Sequence, residues 1–298
     1  MGTNSHFRRI GMSLALAAGL ICPVALRAEE LLVKDGQKIA FMGDSITQQG
    51  AGSPSGYVCL VISGLEANGV KVTSVPAGIS GHRSNDMLAR IEKDVLSKKP
   101  DWMTLSCGVN DVWHQDWQNG VLIDQYKENI TKMVDMCQTA GVKVMLLTST
   151  MIGEDQVNPK NQKLIAYNEF IRNLAKEKNC LLADLNADMQ AELTKMGRDL
   201  GKPGTALTSD GVHMNLEGNI MMATGILKTF GLSDEQIKKA EDKWIDMPNA
   251  CDVGGKIRLT IRDFKKLRDI AVQKKTSIDA LLADELKKSV EAMLNPQK

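Results

Sequence analysis

The chain carries almost no net charge: 37 lysines and arginines face 36 aspartates and glutamates over 298 residues, leaving +1. Such a balance generates no global field that would gather nucleic acid, other polyanions or an anionic membrane. Aromatic residues are scarce at 4%, and there are only four histidines. After Ala28 no apolar run approaches the roughly 20 residues that a membrane-spanning helix needs, so no stable membrane insertion is expected of the remaining chain. There is also no phosphate-binding glycine loop and no cysteine–histidine cluster at metal-ligand spacing, so neither a cofactor nor a metal is expected.

What is present begins at the amino terminus. Arg8 and Arg9 precede an apolar run from Ile10 to Val24, followed by Ala25-Leu26-Arg27-Ala28 and the acidic pair Glu29-Glu30. A charged segment, a short apolar segment and a small residue before polar sequence describe an export signal over residues 1–28, and hence a periplasmic or secreted protein. Cleavage after Ala28 removes Cys22 and leaves Cys59, Cys107, Cys137, Cys180 and Cys251. Cys107 and Cys180 lie in apolar runs that read as strands. An odd number of cysteines, none at metal spacing, reads as buried free thiols rather than a disulfide framework.

Beyond Glu30, short apolar runs alternate with amphipathic ones. Lys38–Met42, Val70–Val75, Trp102–Cys107, Val142–Thr148 and Cys180–Leu185 read as strands. Tyr57–Asn68, Asn85–Leu96, Ile123–Ala140, Leu164–Lys178 and Leu216–Phe230 read as helices. Alternation of this kind implies parallel β-α-β units, hence a three-layer α/β/α fold over residues 29–231. Ligands of such sheets bind beyond the carboxyl ends of the strands. Past Gly231 the alternation stops. Ser233-Asp234-Glu235-Gln236 is a capping box, Lys256–Ile261 alternates as a strand would, and helices follow over Asp263–Lys274 and Ser277–Met293. Residues 232–298 are expected to form a mainly helical appendage.

The candidate chemistry lies at strand ends. Ser45, in Gly43-Asp44-Ser45-Ile46-Thr47, follows the first strand where a nucleophile could sit, although Gly-Asp-Ser is also ordinary turn composition. A serine hydroxyl needs a base. His213 stands three residues after Asp210, a spacing at which the carboxylate can accept the imidazole Nδ1–H and leave Nε2 free for a hydroxyl proton. Asp111 and His114 share that spacing. Asp111, however, belongs to Gly108-Val109-Asn110-Asp111 after the third strand, where the Asn110 amide can serve a developing oxyanion. Gly78 allows close approach to a second, backbone donor, or marks a turn.

Four blocks in this order, Gly43-Asp44-Ser45-Ile46, Gly78, Gly108-Val109-Asn110-Asp111 and Asp210-Gly211-Val212-His213, resemble the markers of the GDSL/SGNH hydrolase family across about residues 36–231. The resemblance implies a flavodoxin-like sheet and ester hydrolysis through an acyl-enzyme. It further implies a triad of Ser45, Asp210 and His213, and an oxyanion hole of the Ser45 and Gly78 N–H groups with Asn110. Ala77 departs from the Asn or Arg that many relatives carry before this glycine.

Trp113, His114 and Trp117 cluster after the Asn110 block and are candidates to line a substrate pocket. Residues 256–293 resemble in outline the strand–helix–helix plan of ribbon–helix–helix proteins, with Lys256, Arg258 and Thr260 outward. An export signal speaks against DNA, and a helical cover or homodimerisation arm is the expectation there. The expected activity is that of an exported serine ester hydrolase deacetylating carbohydrate. The alternatives are a lysophospholipase or thioesterase, a sugar O-acetyltransferase, or a non-catalytic glycan-binding protein on the same fold.

Overall fold

The computed structural model describes residues 1–2, 31–248, 250–253 and 257–294. The export signal read over Arg8 to Ala28 lies outside them, as does Lys256. Five strands make one parallel sheet: β1 (Lys38–Gly43), β2 (Thr73–Gly78), β3 (Trp102–Ser106), β4 (Lys143–Leu147) and β5 (Leu181–Ala183). Their order is β2-β1-β3-β4-β5, the flavodoxin-like arrangement. Ile39, Ala40, Phe41 and Met42 of β1 are completely buried. A strand covered on both faces has no polar side to alternate with, which is why these strands read as continuous apolar runs.

Helices cover both faces. α1 (Ser45–Gly52) and α2 (Tyr57–Ala67) connect β1 to β2, α3 (Ser84–Asp94) leads to β3, and α4 (Val109–Trp113) and α5 (Ile123–Thr139) lead to β4. After β4 come α6 (Pro159–Glu177), β5, α7 (Leu185–Lys195), α8 (Leu216–Thr229) and α9 (Asp234–Ile245). α3, α5 and α6 pack in series on one face, while α2, α8 and α9 pack together on the other. This is the three-layer α/β/α fold expected from the alternation.

The chain first steps from β1 to β2 and then crosses back to β3 on the other side of β1. The crevice above β1 and β3 is therefore a topological switch point, where loops leave in opposite directions and a ligand can enter. Ser45 and Asn110 follow the two strands that flank it.

Several elements differ from the sequence reading. β2 begins at Thr73 rather than Val70, because the Val70 N–H closes the end of α2 on Leu65 and the Lys71 N–H is taken by the Asp35 carboxylate. Gly78 is consequently the last residue of β2, paired with Gly43, not part of a loop. α1, α4 and α7 carry too little apolar periodicity to be seen in the sequence. α9 opens on the expected Ser233–Gln236 capping box. It is not peripheral: Ile237, Ala240 and Trp244 are buried, and the Trp244 indole donates to the Leu60 carbonyl at 3.0 Å. Beyond it, an antiparallel pair β6 (Cys251–Val253) and β7 (Ile257–Leu259) precedes α10 (Ile261–Gln273) and α11 (Ile278–Leu294). Ile261 of α10 reaches the core, whereas Leu286, Val290 and Met293 line an open face of α11. Among the described residues no helix is long and apolar enough to cross a membrane, and Cys59, Cys107, Cys137 and Cys180 are free thiols.

Candidate active site

Ser45 is the first residue of α1. Asp44, buried at the N-cap, accepts the Ile46 N–H on Oδ1 at 2.9 Å. The Ser45 N–H belongs to the first helical turn, where no intrahelical carbonyl is available and the helix dipole is positive. Thr47 anchors the same turn by accepting from the Tyr57 hydroxyl at 2.9 Å. A Cβ at Gly78 would run into the α1 backbone at Thr47 and Gln48. Glycine is thus required there by the approach of the helix that carries Ser45, whatever else it does.

His213 sits on a tight turn closed by the Ser209 N–H to His213 carbonyl bond of 2.8 Å, with Gly211 at φ +92°. Asp210 Oδ1 accepts the His213 and Val212 N–H groups at 2.8 and 3.0 Å. Its Oδ2 lies 2.7 Å from His213 Nδ1, and His213 Nε2 lies 2.8 Å from Ser45 Oγ. With Nδ1–H donating to the carboxylate, Nε2 is the acceptor for the serine hydroxyl, a tautomer assigned from this network. Partial burial raises the Asp210 carboxyl, but hydrogen bonds from the His213 ring and from the two N–H groups outweigh it and leave the group below the ordinary carboxylate value. Asp210 is half-exposed, so solvent screens its charge.

The rival pair separates in space. The buried Asp111 carboxylate turns inward, accepting the Ser84 N–H at 3.0 Å and the Cys107 thiol at 3.4 Å. His114 instead joins Trp113 and Trp117, with ring centroids 6.3 and 5.2 Å away. Trp117 is 61% exposed, and the loop beyond it is tied down by the Arg83 guanidinium on Asn119. Asn110 is buried on α4, one turn before Trp113. One of its amide protons goes to the His82 carbonyl at 3.1 Å, leaving the second unclaimed by that bond.

Three groups, two buried and one half-buried, escaped the sequence reading. Asp44 is one: burial raises its carboxyl from the ordinary 3.8 to about 6, with the Ile46 N–H opposing, the neighbouring Asp111 adding and His213 subtracting. Its place in the Gly-Asp-Ser turn was visible, but its burial was not. Glu154 is the second. Its carboxylate accepts the N–H groups of Ala206, Leu207 and Thr208 at 2.7–2.8 Å and the Thr208 hydroxyl at 2.7 Å. The adjacent Gly153 N–H bonds the Gly211 carbonyl at 2.6 Å, so this loop holds the Asp210–His213 turn from beneath. The third, Arg90, lies on α3, its guanidinium against the Gly43 and Ala77 carbonyls. No sequence motif marked either of the last two.

A model of the GDSL-like lipase/acylhydrolase family matches residues 41–219, more than half of the chain. An acetylxylan esterase from Geobacillus stearothermophilus is 29% identical over 218 residues, covering 67% of this chain and 96% of that protein. Its crystal structure superposes with a TM-score of 0.61 at 30% identity, over 68% of this chain and 97% of that one. The crystal structure of another acetyl xylan esterase, AlAXEase, gives a TM-score of 0.60 at 36% identity, over 64% and 98%. The esterase TesA of Pseudomonas aeruginosa is 30% identical over 112 residues, covering 37% of this chain and 53% of its own. Solved catalytic mutants of the Geobacillus enzyme replace a serine, an aspartate and a histidine by alanine. This chain therefore belongs to the GDSL-like lipase/acylhydrolase family and is a serine carboxylic-ester hydrolase.

Proposed function

We propose that the protein is an exported carbohydrate esterase that removes acetyl groups from a glycan through an acyl-enzyme on Ser45. The observation that carries this reading is the His213 ring bridging Asp210 Oδ2 at 2.7 Å and Ser45 Oγ at 2.8 Å. His213 Nε2 takes the hydroxyl proton as Ser45 Oγ attacks the ester carbonyl. Asp210 holds the ring in the tautomer this requires and stabilises the imidazolium that forms. The tetrahedral oxyanion is received by the Ser45 and Gly78 N–H groups and by the remaining Asn110 amide proton. His213 then returns the proton to the sugar oxygen as the ester C–O bond breaks. A water molecule, deprotonated by the same nitrogen, releases acetate and restores the serine.

The acetyl–carbohydrate reading is supported by the two acetylxylan esterases that cover nearly their whole length on this chain. The Trp113–His114–Trp117 cluster suits it, since an exposed indole offers a flat apolar face to a sugar ring. Export is supported by the sequence from Arg8 to Ala28, and it places the enzyme where polymeric glycans are met. The test is acetate release from acetylated xylo-oligosaccharides beside p-nitrophenyl esters of increasing acyl length. Acetate release from the sugars, with turnover falling steeply beyond short acyl chains, is the expected result. Preference for long acyl chains, or transfer of acetyl to an added sugar without free acetate, overturns it.

A further inference from the structure

Arg90 projects from α3 beneath the carboxyl ends of β1 and β2, and its side chain is only 10% exposed. Nη2 donates to the Gly43 carbonyl at 3.0 Å and Nη1 to the Ala77 carbonyl at 2.9 Å. Nε donates to His82 Nδ1 at 3.0 Å, and Nη1 also meets the Asp94 carboxylate at 3.1 Å. The charge is thus compensated on the same helix while the fork is spent on two neighbouring strand ends and a loop.

The contacts with Ala77, Gly43 and His82 each lie one step from a group of the proposed oxyanion hole. Ala77 C=O and Gly78 N–H belong to one planar peptide unit, so fixing the carbonyl fixes the direction of the N–H. Gly43 C=O is in the peptide that enters Asp44 and the first turn of α1, whose Ser45 N–H is the second donor. His82, held through its ring, presents the backbone carbonyl that anchors the Asn110 amide at 3.1 Å. Only a planar guanidinium with several fixed N–H directions can hold these three segments together; a lysine ammonium keeps the charge but not the fork.

We infer that Arg90 is a positioning residue of the oxyanion hole, one guanidinium that sets the direction of all three donors without touching substrate. The inference rests on Ser45, Gly78 and Asn110 being those donors. Donor direction matters most when charge develops on the oxyanion, so the loss of Arg90 must appear in kcat rather than in substrate binding.

The experiment compares Arg90→Gln and Arg90→Lys with wild type and Asn110→Ala, using a soluble acetyl ester, a boronic acid that forms a tetrahedral adduct, and thermal melts. Removing one oxyanion donor costs roughly 10²–10³-fold, so misdirecting donors that remain present is expected to lower kcat by ~10–100-fold with KM nearly unchanged. Boronate affinity falls by the same factor as kcat/KM, Arg90→Lys recovers part of the loss, and the Arg90→Gln and Asn110→Ala losses combine less than additively. Variants that melt earlier but keep wild-type kcat and boronate affinity, while Asn110→Ala loses kcat, overturn the role of Arg90 alone. Unchanged kcat in Asn110→Ala as well brings down the oxyanion reading beneath it. If Arg90→Gln does not fold, Arg90→Lys carries the same comparison.

Discussion

Asp44→Asn separates what the site gains from what the fold gives up. The native carboxyl titrates near 6 against an ordinary 3.8, mainly because it is buried at 3% exposure. Between those values the folded protein still holds a proton that the unfolded chain has released. A raised carboxyl therefore contributes stability at low pH that is lost as pH rises from about 4 through about 6, and above that the fold carries the whole cost of a buried charge. The shift corresponds to about 3 kcal/mol. Asparagine keeps the N-cap, since its side-chain oxygen can still accept the Ile46 N–H, but has no charge to bury. The variant should melt with wild type near pH 4 and ~5 °C above it near pH 8, taking ~2 °C per kcal/mol for a chain of this size. The same negative charge interacts with the His213 ring and would stabilise the positive charge that ring gains on taking the serine proton, so the more stable variant is expected to turn over more slowly. Differential scanning calorimetry at the two pH values, with kcat on the same preparations, is the assay. An equal melting difference at both pH values, or a variant less stable at pH 8, refutes the buried-charge argument.

Asn110→Ala should lower kcat by about 10²–10³-fold with little change in KM; a merely structural asparagine would lower the melting temperature and leave kcat per folded molecule intact. Glu154→Gln presents an amide where backbone N–H groups converge, and is expected to cost about 1–3 kcal/mol in a denaturant titration. Because residues 206–208 lead into the Asp210–His213 turn, its kcat should fall too; full stability would remove Glu154 as the anchor of that turn. Trp117→Ala should raise KM for acetylated oligosaccharides several-fold while leaving small acetyl esters unaffected, as comparative kinetics on the two substrates will show. An equal effect on both takes Trp117 out of sugar binding.

The sheet was legible in the sequence because burial on both faces leaves a signal no loop imitates: Ile39–Met42 and Val144–Leu147 are apolar without interruption. Asp210 and His213 were legible as a pair through short spacing and Ser45 through its place after the first strand, and the structure brings the His213 ring within hydrogen-bonding distance of both. Asp111 and His114 share the Asp210–His213 spacing; membership of the Gly108–Asp111 block set that aspartate aside in the sequence, and the structure turns its carboxylate inward onto Ser84 and Cys107. What stayed hidden depends on long-range approach. The α1 helix is written in Ser-Ile-Thr-Gln-Gln-Gly-Ala-Gly, which has no apolar stripe to announce it. Arg90 and Glu154 look like ordinary charged residues, because their partners are backbone groups up to 54 positions away. Gly78 was noticed for its backbone N–H, yet its lack of a side chain is already required by the contact with Thr47 and Gln48.

The proposed hydrolysis depends on Ser45 Oγ as the atom that attacks. A fluorophosphonate that modifies activated serines, followed by peptide mapping in the mass spectrometer, tests this most directly. The prediction is one adduct, on Ser45, its formation abolished in Ser45→Ala together with a loss of turnover on the order of 10⁴-fold or more. An adduct on another residue, in a Ser45→Ala protein that still hydrolyses ester, would contradict it.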